Sequence, residues 1–112
     1  GNLSVLYGLQ GTPYSLHAII DSCVAPPVLL LEAICEKHYH IDRMMNNLRL
    51  SGVLSRLSGV IVGQFTDCED DPRMGCTRRE TLQYYLCQYD YPVVWDAPYG
   101  HEDDNRPIMF SL

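Results

Sequence analysis

The sequence predicts an α/β domain whose strands are at least partly parallel. Three observations carry that prediction. Apolar runs at Val28-Leu29-Leu30-Leu31 and at Val60-Ile61-Val62-Gly63-Gln64-Phe65 read as buried strands. Ile41, Met44, Met45 and Leu48, and later Leu82, Tyr85, Leu86 and Tyr89, fall at i, i+3, i+4 and i+7, the spacing of one apolar helix face. The resulting alternation of strand and helix, followed by Val93-Val94-Trp95 as a third strand, needs crossover connections, and crossovers make neighbouring strands parallel.

Taken in order, Asn2 is an N-cap for a short helix through Leu3, Leu6 and Tyr7, which Gly11 is placed to end in a left-handed conformation. Thr12-Pro13-Tyr14 breaks the chain, and Ala18-Ile19-Ile20 reads as a short strand before the Pro26-Pro27 stop. The strand at 28–31 then meets Glu32, a carboxylate at its end, and feeds through a polar connection into the helix around Ile41, which finishes near Ser51-Gly52. A helical turn over 53–57 leads into the second strand, and residues 66–76 form an acidic loop. Thr77-Arg78-Arg79-Glu80 fits a capping box, so a helix starts there and runs to about Tyr89, before Pro92. Ala97 to His101 is a loop after the third strand, and Pro107 to Leu112 begins another apolar strand. The absent initiator Met and that curtailed last strand suggest a fragment.

Composition narrows the function. The 112 residues amount to one domain, and the net charge of −6 rests on only eight Lys and Arg that form no stripe, which argues against a nucleic-acid surface. No run approaches a membrane-spanning length and no segment resembles a signal peptide, so a soluble protein without a membrane partner is expected. Five cysteines, at 23, 35, 68, 76 and 87, have no CxxC pair and fit reduced thiols in a cytoplasmic protein.

On an α/β frame, chemistry gathers where strands end and helices begin. Glu32 after the first strand and His101 after the third occupy equivalent places. An acid beside a His is the acid–base half of a nucleophilic triad; the plainer reading is a structural Glu and a surface His. No serine lies in a Gly-x-Ser-x-Gly elbow, so the nucleophile of such a triad comes from elsewhere. Cys35, His38 and His40 are close enough in sequence to suggest metal ligands, against which stands their reading as exposed loop residues. A cysteine nucleophile partnering His101 is a further option, beside the reading of all five as small hydrophobes or loop residues. Tyr84, Tyr85, Tyr89 and Tyr91 either line a ligand groove or form a half-buried helix face.

Ordered blocks of the chain, GNLSVLYGLQGTPY, LLLEAICEKHYHIDRMMNNLRLSGV, GVIVGQFTDC and YPVVWDAPYGHEDDNRPI, resemble the C-terminal domain of the LD-carboxypeptidase family, which includes the microcin-immunity peptidases. The Leu-Glu followed by Tyr-x-Ile-Asp-Arg-Met and the Pro-x-Gly-His-x-x-x-Asn loop are the most specific parts. The resemblance implies a small C-terminal domain of the swivelling β/β/α type, with mixed, partly parallel strands and about three helices, truncated at both ends. It implies a Ser-Glu-His triad with Glu32 and His101 on this chain and the serine on an absent N-terminal domain. Gly100 and Asn105 match the family's His loop and Asn2 its Gly-Gly-Asn-Leu turn, without a catalytic role. His38-Tyr39-His40 departs from the family's Pro-Tyr-Arg, and Ala33 stands where the family has Asp.

The implied activity is hydrolysis of the terminal D-alanine from a murein tetrapeptide in peptidoglycan recycling, by a cytoplasmic enzyme that needs no cofactor and no metal, acts with its N-terminal domain and forms a homodimer. The fragment alone is expected to be inactive. Two alternatives stand beside it: a microcin-immunity-type peptidase acting on an aminoacyl-nucleotide, and a non-catalytic binding or dimerisation domain.

Overall fold

A computed structural model describes residues 1–110. Helix α1 spans Leu3–Gly8 and α2 Leu16–Ser22; strand β1 spans Val28–Ile34, α3 His38–Leu50, β2 Gly59–Thr66, α4 Arg78–Leu86 and β3 Val93–Val94. Short 3-10 turns occur at Leu54–Arg56 and Pro72–Met74. The sheet has the order β1-β2-β3 and both pairings are parallel, with α3 and α4 as the crossovers.

Local chemistry accounts for the helix starts. Asn2 accepts from the Ser4 and Val5 amides, Ser15 accepts from the Ala18 amide, and Thr77 with Glu80 closes a complete capping box. The apolar faces predicted for α3 and α4 are the ones that pack: Ile41, Met44, Met45 and Leu48 are buried, as are Leu82, Tyr85 and Leu86. They join Leu29, Leu31, Ala33, Val60 and Val62 of the sheet in a single core, in which α3 lies against both α1 and α4.

Four expectations need correction. Ala18-Ile19-Ile20 is not a strand but the middle of α2, because Ser15 caps a turn and Leu16 and Ile20 bury one helical face at i, i+4. Among the described residues that makes four α-helices, where the resemblance implied about three. Helix α1 ends at Gly8, with Leu9 as its cap; Gly11 is left-handed, at φ +79°, but sits in the following turn. Helix α4 stops at Leu86, short of Tyr89. Residues 107–110 form no strand, and the remainder of that expected element lies outside the described residues. Among the described residues no helix is long and apolar enough to cross a membrane.

Candidate functional site

Strand β1 does not end at Glu32 but continues to Ile34, so the carboxylate lies inside the sheet. Successive strand residues face opposite sides. Leu29, Leu31 and Ala33 enter the helix-covered core, and Glu32 turns to the other face. It is held between two neighbours. On one side Asn2 bridges to it in parallel, the Glu32 amide donates to Gly1 O at 3.2 Å, and the Gly1 nitrogen donates to Leu30 O at 2.5 Å. On the other side the register slips: Leu31 pairs with Val62 but Ala33 with Phe65, so two residues of β2, Gly63 and Gln64, stand opposite Glu32 alone. This β-bulge bends the strand beside the acid.

The chain after β3 stays on the edge of β2. Ala97 N–H donates to Val62 O at 3.0 Å and Gln64 N–H to Tyr99 O at 2.8 Å. Here Gly63 is required, since a Cβ at that position would overlap the Tyr99 carbonyl. Gly100 follows at φ +148°, a conformation open to glycine, and its amide donates to Asn105 Oδ1 at 3.2 Å. Arg106 N–H to Pro98 O, 2.8 Å, closes the loop.

That loop carries His101 across β2 to Glu32. The Glu32 Oε2 to His101 Nδ1 distance is 2.8 Å. Glu32 is only 5% exposed, whereas the His101 side chain is 43% exposed. A buried carboxylate with an imidazole partner satisfies the rule that buried charge must be paired. It also fixes the ring: with Nδ1–H on the carboxylate, Nε2 is the acceptor, and among the described residues Nε2 makes no hydrogen bond. Nearby, burial raises the Tyr99 hydroxyl above its ordinary value, with the Glu32 charge adding to the effect.

The other candidates go elsewhere. Cys35 is exposed just past β1, at φ +56°. His40 pairs loosely with Glu36 at 3.4 Å. His38 is no exposed loop residue: it is 1% exposed at the start of α3. Its Nδ1 accepts from Asp71 N–H at 3.1 Å, so Nε2–H donates to Thr81 Oγ1 at 2.8 Å. The three residues therefore do not converge as a ligand set. No cysteine bonds to His101 among the described residues. Three of the four tyrosines belong to packing: Tyr85 is buried with its hydroxyl on Asp42 at 2.8 Å, and Tyr89 and Tyr91 stack at 5.3 Å against the core, whereas Tyr84 is exposed. Burial pushes the Tyr91 hydroxyl up to about 12.

A pocket of about 570 Å³ opens past β1 and β2, lined by Cys35, Glu36, His38, Asp67, Asp71 and Arg73 among others. A second, of about 330 Å³, lies beside Gly63, Gln64, Arg78 and Asp96. Glu32 and His101 line neither. Sequence reasoning passed over Gly63 and Gln64, although an isolated Gly within an apolar run is itself a sign of a bulge or of close backbone approach.

Residues 1–111 match a family described as the LD-carboxypeptidase C-terminal domain. A protein of Synechocystis named as a carboxypeptidase is 39% identical over 90% of this chain and 32% of its own length. The murein tetrapeptide carboxypeptidase of Pseudomonas aeruginosa is 31% identical over 95% of the chain and 33% of its own length. The crystal structure of muramoyltetrapeptide carboxypeptidase from Oxalobacter formigenes superposes with a TM-score of 0.75, at 27% identity, over 94% of this chain and 35% of that one. The microcin C7 self-immunity protein shares the fold, with a TM-score of 0.67 at 21% identity over 88% of this chain and 28% of its own. The chain spans about a third of the length of the curated relatives it matches.

Proposed function

Because the chain belongs to the LD-carboxypeptidase family, matching its C-terminal domain, we propose that it is the Glu/His half of a serine peptidase that removes the terminal D-alanine from a murein tetrapeptide. One observation carries this reading: a buried carboxylate holding Nδ1 of a half-exposed imidazole at 2.8 Å, with Nε2 making no hydrogen bond among the described residues. A relative named for murein tetrapeptide supports the substrate class. The 43% exposure of the His101 side chain supports completion of the site by a second surface, which we assign to an N-terminal domain bearing the serine.

In this reading His101 Nε2 takes the proton of the serine hydroxyl as its oxygen attacks the carbonyl of the scissile amide. The tetrahedral intermediate collapses to an acyl-enzyme, and the same proton passes from Nε2 to the departing amine of D-alanine. Water then repeats the sequence: Nε2 takes its proton, hydroxide attacks the ester, and the serine leaves with the proton returned. Glu32 fixes the Nδ1–H tautomer and balances the imidazolium. Donors for the oxyanion belong to the N-terminal domain. No step draws on a cofactor. A homodimer and a cytoplasmic setting complete the proposal; the latter is supported by five free thiols.

The test is an assay of D-alanine release from murein tetrapeptide. The full-length protein required by this reading releases it, and the 112-residue chain alone does not. Release by the chain alone, or none by the full-length protein, overturns the proposal. The likeness to the microcin protein is of fold, so an aminoacyl-nucleotide serves as the comparison substrate in the same assay.

A further inference from the structure

Resting on that reading of the Glu32–His101 pair, we infer that Gln64 is the positioning residue of His101: its backbone amide holds the loop before the histidine, its side-chain amide holds it after, and together they set where the imidazole meets Glu32. The residue occupies the β2 bulge opposite Glu32. Its Oε1 accepts from Glu102 N–H at 3.0 Å, and its Nε2 donates to Asp104 O at 2.7 Å. Its own backbone amide donates to Tyr99 O at 2.8 Å. One residue therefore grips positions 99, 102 and 104, on both sides of His101.

The grip is tight as well as direct. A Cβ on Gly100 would stand 2.9 Å from both Cβ and Oε1 of Gln64, so the loop passes over this side chain at closest backbone approach. His101, by contrast, has its Glu32 contact as its one side-chain hydrogen bond among the described residues. A loop residue with 43% of its side chain exposed keeps a 2.8 Å contact only if its backbone is held from below, and Gln64 holds it on both flanks, by its backbone amide at Tyr99 and by its side-chain amide at Glu102 and Asp104. The bulge explains the placement: the extra residue in β2 brings this amide opposite the acid it serves.

Two measurements test this. In the 112-residue chain, nitrogen-edited NMR detects the His101 Nδ1–H shared with Glu32 as a downfield, slowly exchanging resonance. Gln64→Met removes both amide bonds at similar length and abolishes the resonance; Gln64→Glu, which keeps the acceptor for Glu102 N–H, retains part of it. A resonance undiminished in Q64M overturns the role of Gln64 while leaving the pair intact. Its absence from the unsubstituted chain overturns the pair and, with it, this inference. In the full-length enzyme Q64M lowers kcat by about 10- to 100-fold, as a misplaced catalytic group does, with KM within about twofold, and it has no further effect in an H101A background. A rise in KM alone, or an equal loss in both backgrounds, assigns Gln64 a merely structural role and overturns the inference.

Discussion

The carbonyl oxygen of Tyr99 fills the space a side chain on Gly63 would need, so β2 and the His101 loop meet backbone to backbone. The atom in the way is main chain and cannot rotate aside. Gly63→Ala should therefore displace residues 99–101 and cost roughly 1–3 kcal/mol, the usual range for overpacking. Urea unfolding of the chain measures the loss, and turnover of the full-length enzyme should fall with it. Unchanged stability together with unchanged turnover would show that the two segments are not in contact in solution.

Glu32→Gln keeps the size of the side chain but removes the charge that steadies an imidazolium. In the full-length enzyme we expect kcat to fall by about 10³- to 10⁴-fold, with His101→Ala at least as severe and the double variant little worse than either, because the two act as a unit. Steady-state kinetics on murein tetrapeptide decides. Wild-type turnover in either single variant would favour a binding or dimerisation role for this face.

His38 ties the start of α3 to α4 through Thr81 and to the acidic loop through Asp71. Removing it opens a cavity and takes a partner from the buried Thr81 hydroxyl and the partly buried Asp71 amide, so His38→Ala should lose about 2–4 kcal/mol. His40→Ala, which removes only a half-exposed pair with Glu36, should change stability by less than about 0.5 kcal/mol. Denaturant midpoints of the two variants test the contrast.

Arg73 bonds hold the Asp71 carboxyl at about 2, below its ordinary 3.8. A folded value below the unfolded one gives stability that is complete above the unfolded value and is lost as pH falls through the folded one. Asp71→Asn should thus lower the urea midpoint at neutral pH, and the two curves should converge between about pH 4 and pH 2. The pair lies at the surface, with Arg73 largely exposed, so the gap will be small. A gap that widens on acidification would contradict the assignment.

Much of the fold was legible because period and punctuation agreed. Ile41, Met44, Met45 and Leu48 mark one helical face and do bury it, and Thr77 with Glu80 signals a helix start that the structure shows. Where the signals conflicted, reading failed. Ala18-Ile19-Ile20 looks like a strand because β-branched residues favour extended backbone, yet Ser15 just upstream supplied the cap that makes it helix. The acid and the histidine were singled out by their expected places after strands; Glu32 lies within β1 instead, yet the structure brings the two together. What joins them was not identifiable. A register slip between β1 and β2 leaves no mark in composition, and Gln64 matters only because the bulge turns it towards residues nearly forty positions away. His38 shows the same limit, since its burial depends on Thr81 and Asp71, which are remote in sequence.

The five thiols differ sharply in access. Cys23, Cys35 and Cys87 are exposed, whereas Cys68 is buried just past β2, its Sγ on Thr66 O at 3.2 Å and its ionisation pushed up by burial. Thiolate, not thiol, is what an alkylating reagent consumes. A short pulse of iodoacetamide will therefore mark the three outer cysteines at once and Cys68 only when the segment around it opens. Peptide mass spectrometry after pulses of increasing length would read out that opening directly, so the chain carries a covalent recorder of how often the segment just past β2 breathes.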